Sequence, residues 1–163
     1  MTLIKIGKIV NTHGIKGELR LLSKFPYKDK VFINNMTIYI DKKDKEIINT
    51  YRKHKNFDMI TLKDYNNINE VLKYKGKNVY VNDSDIKLDN NKYLDEELIG
   101  LNVIYEDNNK GTIVDIERYD KTVLFNIKNN DKEYLIPYND NIIDKIDINN
   151  KKIYIKDIKG LFD

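Results

Sequence analysis

Ile6-Gly7-Lys8-Ile9-Val10, then Asn11-Thr12-His13-Gly14-Ile15-Lys16-Gly17, then Glu18-Leu19-Arg20-Leu21-Leu22: this stretch decides the fold, because it reads as strand, connection and strand. From Leu3 to Val10 apolar and polar residues alternate, the period of a half-buried strand, and Glu18 to Leu22 alternates more loosely. Two glycines three residues apart, among turn formers, join the two strands. Backbone geometry accounts for Gly14 and Gly17, through a positive φ or the close approach of another segment. His13 has no Ser, Cys or paired carboxylate in a recognisable catalytic motif beside it, so it is expected to pack in or cap the loop. The Lys-Ser/Thr ending of a phosphate-cradling Walker loop is absent.

Working outward, strands are predicted over Met36 to Ile40, Lys45 to His54, Phe57 to Leu62 and Asn78 to Val81, with turns at Asn34-Asn35 and Lys55-Asn56. One short helix interrupts them. Asn66-Asn67 caps it, Ile68, Val71 and Leu72 line one face, and Gly76 stops it. Apolar residues then thin out, which marks a linker. Beyond it, strands are predicted over Leu101 to Tyr105, Thr112 to Arg118, Thr122 to Ile127, Glu133 to Ile136, Asp144 to Ile148 and Lys152 to Ile155. The first of these turns is placed at Asp107-Asn108-Asn109-Lys110-Gly111. Ile136 and Pro137 are read as shaping a strand end, with Pro137 stopping the ladder for want of an N–H. The expectation is an all-β chain of two small β-barrels, over 1–83 and 93–163, with a linker over 84–92.

The 163 residues hold no Cys, so disulfides and thiolate chemistry are excluded, and with two His a His-rich metal site is not expected. No leader-like apolar segment opens the chain and no run approaches a membrane span, so a cytoplasmic location is expected. The net charge of +3 conceals two opposed halves. Residues 1–88 carry 18 Lys+Arg against 10 Asp+Glu, a net +8, and residues 89–163 carry 11 against 16, a net −5. A basic half suits a polyanion such as RNA, and an acidic half suits a basic protein. Solvation of small domains explains either half alone about equally well.

Three stretches resemble the RimM family of ribosome maturation factors: Ile6 to Arg20, Arg52 to Leu62 with Asn69-Glu70, and Leu135-Ile136-Pro137-Tyr138 with Ile146-Asp147 and Gly160-Leu161. The resemblance implies an N-terminal RimM barrel and a C-terminal PRC barrel. It also implies a non-catalytic assembly factor that binds the small-subunit head through ribosomal protein nineteen and assists 16S rRNA maturation. No cofactor or metal is implied, and a monomer is expected. Where the resemblance implies two adjacent tyrosines ahead of Glu97-Leu98-Ile99-Gly100, this chain has Tyr93-Leu94. Leu94 would keep an apolar contact but lose the hydroxyl. Tyr93, Leu94 and the acidic strip Asp95-Glu96-Glu97 are therefore candidates for the ribosomal-protein contact, as apolar anchors and electrostatic steering.

Candidates for RNA contact are Lys16 and Arg20, flanking the first connection, and the dense run Arg52-Lys53-His54-Lys55. In a strand, Arg52 and His54 share one face while Lys53 and Lys55 share the other. No exposed aromatics in base-reading order accompany the run, which favours phosphate or shape contact over sequence reading. An RNA-processing nuclease is the rival from another class, but the carboxylates are scattered and show no Asp-x-Asp or His-Asp pattern. An adaptor with a non-ribosomal partner is a second rival.

Overall fold

A computed structural model describes residues 1–163, and the chain divides into two compact units, Met1–Asn90 and Asn91–Asp163. In the first unit, β1 (Leu3–His13), β2 (Glu18–Leu22), β3 (Thr37–Ile40), β4 (Asp44–His54), β5 (Phe57–Leu62) and β6 (Asn78–Asn82) form a closed barrel in the order β1-β2-β5-β4-β3-β6. Every pairing is antiparallel, and β6 returns to β1 to close the ring. The two eleven-residue strands make closure possible by bending at irregularities in register, β1 between Lys5 and Gly7 and again between Ile9 and Asn11, β4 between Ile48 and Thr50. Inward-facing Ile4, Ile6, Leu19, Leu21, Ile38, Ile40, Ile60, Leu62, Val79 and Val81 fill the barrel.

The helix predicted after Asn67 is α1 (Ile68–Val71), which runs on into a 3-10 turn over Leu72–Tyr74. The Asn67 side chain accepts from the Glu70 N–H at 3.2 Å, and Glu70 Oε1 accepts from the Asn66 N–H at 3.2 Å. This reciprocal capping explains why so short a helix forms at all.

In the second unit, α2 (Asp95–Leu98) precedes β7 (Asn102–Tyr105), β8 (Asn108–Arg118), β9 (Val123–Asn129), β10 (Lys132–Pro137), β11 (Ile143–Asp147) and β12 (Lys152–Ile155). These strands order as β10-β9-β8-β7-β12-β11 over a core of Leu98, Val103, Ile113, Phe125, Ile127, Ile136 and Ile153. All neighbours are antiparallel except β12 and β7, which run parallel. Two local expectations need correction. The β7–β8 turn is Glu106-Asp107, both at positive φ, and β8 begins at Asn108 rather than Thr112. Pro137 is the last residue of β10, as expected, but its missing N–H is not what ends the pairing, because the Tyr138 N–H still donates to Val123 O at 2.8 Å. Pro137 pairs with Leu124 on a strand with β9 on one side only, so its missing N–H points away from the sheet and no bond is lost.

Candidate functional site: two cationic barrel faces and an acidic helix

The β1–β2 connection is held from both ends of its glycine pair. Gly14 and Gly17 take φ of +79° and +88°, and a Cβ on Gly17 would lie 2.8 Å from Asn67 O. The Ile68 N–H donates to Ile15 O at 2.9 Å, so the loop is seated on the start of α1. Gly17 therefore needs both the positive φ and the close approach. At the loop's tip, Ile15 is 81% exposed and Lys16 is exposed beside it.

On the barrel's outer surface, register places Arg20 opposite Met59 and Met59 opposite Arg52, a row across β2, β5 and β4. Met59 is fully buried there although it points away from the barrel interior, an arrangement suited to cover by long side-chain stems. Arg52 binds Glu18 with two nitrogens, Nε to Oε2 at 2.9 Å and Nη2 to Oε1 at 2.7 Å. Arg20 donates through Nη2 to His13 Nδ1 at 2.8 Å, with its guanidinium 4.9 Å from the Phe57 ring centroid. The His13 and His54 rings lie 5.8 Å apart. This fork-shaped bond from Arg52 holds the Glu18 carboxyl below its ordinary range. Partial burial, followed by the charges of Arg52 and Lys55, pushes the His54 imidazole down, so the neutral ring is favoured.

Arg52 and His54 share one face, as strand alternation predicts, and Lys53 turns to the other. There Asp58, with no exposed surface, receives Lys28 Nζ at 2.8 Å, Lys53 Nζ at 3.7 Å and the Tyr51 hydroxyl at 2.6 Å. Burial and then the Asp58 carboxylate push the Tyr51 phenol up to about 12. Lys55 occupies the β4–β5 hairpin at φ +55°. The dense basic run thus splits three ways, and its arginine is engaged by a carboxylate.

In the second unit the acidic strip forms the first turn of α2. Asp95 receives Arg118 of β8, Nη2 to Oδ1 at 2.5 Å and Nε to Oδ2 at 3.4 Å. Glu97 Oε1 accepts from the Leu94 N–H at 2.9 Å, which caps the helix. Leu94 itself is 8% exposed, while Tyr93 packs partly buried against the core. Glu96 is exposed and joins no ion pair. Exposed apolar side chains on the same unit are Ile99, Val114, Tyr119 and Leu135. Ile136 is fully buried. Arg118 does not stand out in the sequence, since its role depends on long-range register. No group of three or more His, Asp or Glu is arranged to hold a metal ion, and no helix is long and apolar enough to cross a membrane.

A closed antiparallel barrel with a lysine-rich surface that also carries Arg20 and Arg52, followed by a second all-β unit with an acidic opening helix, defines a class of two-domain β proteins with opposed charges. Residues 4–86 match the RimM N-terminal domain and residues 95–161 match the RimM PRC barrel domain. The chain belongs to the RimM family of ribosome maturation factors. It is 34% identical to the ribosome maturation factor RimM of Shouchella clausii over 166 residues, covering 97% of this chain and 96% of that one. With the Staphylococcus haemolyticus ribosome maturation factor RimM it shares 36% identity over 166 residues, covering 98% and 99%. A solution structure of the N-terminal domain of RimM from Thermus thermophilus aligns with 54% of this chain and 98% of that one, at 18% identity and a TM-score of 0.48.

Proposed function

We propose that this protein is a non-catalytic assembly factor of the small ribosomal subunit, acting in the cytoplasm during 16S rRNA maturation. Its acidic second unit docks on a basic head protein, ribosomal protein nineteen, and its basic first unit approaches ribosomal RNA by phosphate or shape contact. A linker over 84–92 joins the two. The opposed charges, net +8 and net −5 on successive halves, carry this reading within the family's role in ribosome maturation. Binding more tightly to one conformation of the immature head than to its competitors shifts the population toward that state without turnover.

Docking is assigned to the face around α2, with Tyr93 and Glu96 in contact, Leu94 as the buried support, and Asp95 and Glu97 shaping the helix. The test is co-sedimentation of the full chain with small subunits over a salt series. Reversing the one strip carboxylate that holds no internal partner, Glu96→Lys, is expected to weaken the complex and flatten its salt dependence. Undiminished binding by that variant and by Tyr93→Ala would refute the assignment. Incubation with precursor RNA and magnesium is expected to leave the RNA intact, and multiple turnovers would establish the nuclease reading instead.

A further inference from the structure

A second row on the barrel joins no internal ion pair. Register sets Lys5 of β1 opposite Tyr80 of β6, Tyr80 opposite Tyr39 of β3, and Tyr39 opposite Lys45 of β4. Their neighbours Ile4, Ile6, Val79, Val81, Ile38 and Ile40 are all buried inside, so this row lies on the outer surface. Directly paired residues on one face have Cβ atoms about 5 Å apart, so the two half-buried tyrosines are cross-strand neighbours on this face. The Lys42 ammonium stands 5.1 Å from the Tyr80 ring centroid. Lys8 lies beside the row, opposite Asn78, and Lys43 completes the β3–β4 hairpin. None of these five lysines joins an ion pair. Of the two hairpin carboxylates, Asp41 already accepts the Asn78 N–H at 2.9 Å, and the other is Asp44.

We propose that this Tyr39–Tyr80 face binds a short unpaired stretch of RNA, with bases stacked on the tyrosines and phosphates held by Lys5, Lys42 and Lys45. It deepens the RNA-approaching role proposed for the first unit and rests on it. Aromatic rings interleaved with uncompensated cations are the combination that single strands recognise, because every base has a π face and every linkage a charge. Lys42 moves from the Tyr80 ring to a phosphate as the base takes its place. A duplex offers only its backbone to such a surface, so unpaired RNA is preferred. The Arg20–Arg52 face differs in kind, since its guanidinium groups already hold Glu18 and His13.

Fluorescence anisotropy of the full chain with a labelled uridine oligonucleotide of about ten residues, against a matched duplex, tests the proposal. The oligonucleotide is expected to bind more tightly than the duplex. Tyr80→Leu and Tyr39→Leu should each weaken it about ten-fold, and Tyr80→Phe should retain binding. Lys5→Gln and Lys45→Gln should each reduce the salt slope by about 0.7. Ring-proton shifts of Tyr39 and Tyr80 in the unmodified protein should move on titration, which keeps the test decisive if a Leu variant fails to fold. Equal affinity for duplex and oligonucleotide, or tyrosine rings unmoved at saturation, would overturn the inference. Sedimentation with small subunits separates the two readings. A chain that binds subunits but shows no tyrosine-dependent oligonucleotide binding retains its ribosomal role and lacks this face. Tyrosine-dependent oligonucleotide binding without subunit binding retains the face and refutes the role.

Discussion

Gly17→Ala should be one of the most damaging single-methyl changes in the first unit, and Gly14→Ala separates the two reasons. Both glycines have φ near +80°, which costs an alanine about 1–2 kcal/mol. At Gly14 a Cβ would meet nothing within 4 Å, so that strain is the whole cost. At Gly17 the added carbon would come to 2.8 Å from the Asn67 carbonyl oxygen, and both partners are backbone. Relief requires the loop to lift off α1, which loses the Ile68-to-Ile15 hydrogen bond, about 1 kcal/mol, and loosens the Asn67 cap, worth about another 1. Gly17→Ala is therefore expected to cost about 3–4 kcal/mol, and Gly14→Ala about 1–2. Urea titration followed by circular dichroism, with amide exchange of β1 and β2 to identify the barrel's transition, measures both. Equal losses for the two variants would show that contact with α1 contributes nothing at Gly17.

Other sites give equally direct expectations. Asp58→Asn leaves the Lys28 ammonium without its buried carboxylate and should destabilise the barrel by about 2 kcal/mol, discounted because Lys28 is 29% exposed. The same change should bring the Tyr51 phenol down from about 12 without reaching 10, because burial is the larger cause; ultraviolet difference titration against Tyr51→Phe reads it. A raised folded value means that this part of the stability is present below pH 10 and lost as pH rises through about 12, so alkaline unfolding should begin later in Tyr51→Phe. For His54 the folded value is depressed below 6.5, so stability is present above that pH and lost as pH falls through the folded value; His54→Gln should flatten thermal stability against pH on that side. Gly111→Ala places a Cβ 2.5 Å from Lys128 O at φ +133° and should part β8 from β9 locally, seen as lost amide protection at Thr112 and Lys128.

Strand periodicity made most of the fold legible, and the exceptions have physical causes. The helix after Asn67 was readable because its cap lies within four residues of chain. The β7–β8 turn was misplaced because Asn108, Asn109 and Gly111 look like turn chemistry, whereas Glu106-Asp107 do not. In the fold, Glu106 and Asp107 take the two positive-φ positions that a tight hairpin demands. Gly111 sits in the strand because Lys128 O approaches too closely for a side chain. Parallel pairing of β7 with β12 joins segments some fifty residues apart, and no local pattern encodes such a choice. Arg118 was equally invisible as the partner of Asp95, being 23 positions away.

Charge density along a chain and charge available on a surface are different quantities, and this protein separates them. Arg52-Lys53-His54-Lys55 is the densest basic run, yet a strand sends alternate members to opposite faces, and each face meets acids brought by other strands. Arg52 thus closes on Glu18 and Lys53 faces Asp58, so a phosphate would have to compete with a carboxylate already in place. The acidic strip behaves alike, since Asp95 holds Arg118 and Glu97 caps its own helix, leaving Glu96. Lys5, Lys42 and Lys45 are scattered over forty residues and form no run, but barrel closure gathers them around two tyrosines with no acid in partnership. A polyanion gains from releasing its counterions only where the cations it meets are not already neutralised. The surface with most to offer RNA is therefore assembled by register rather than by sequence neighbours.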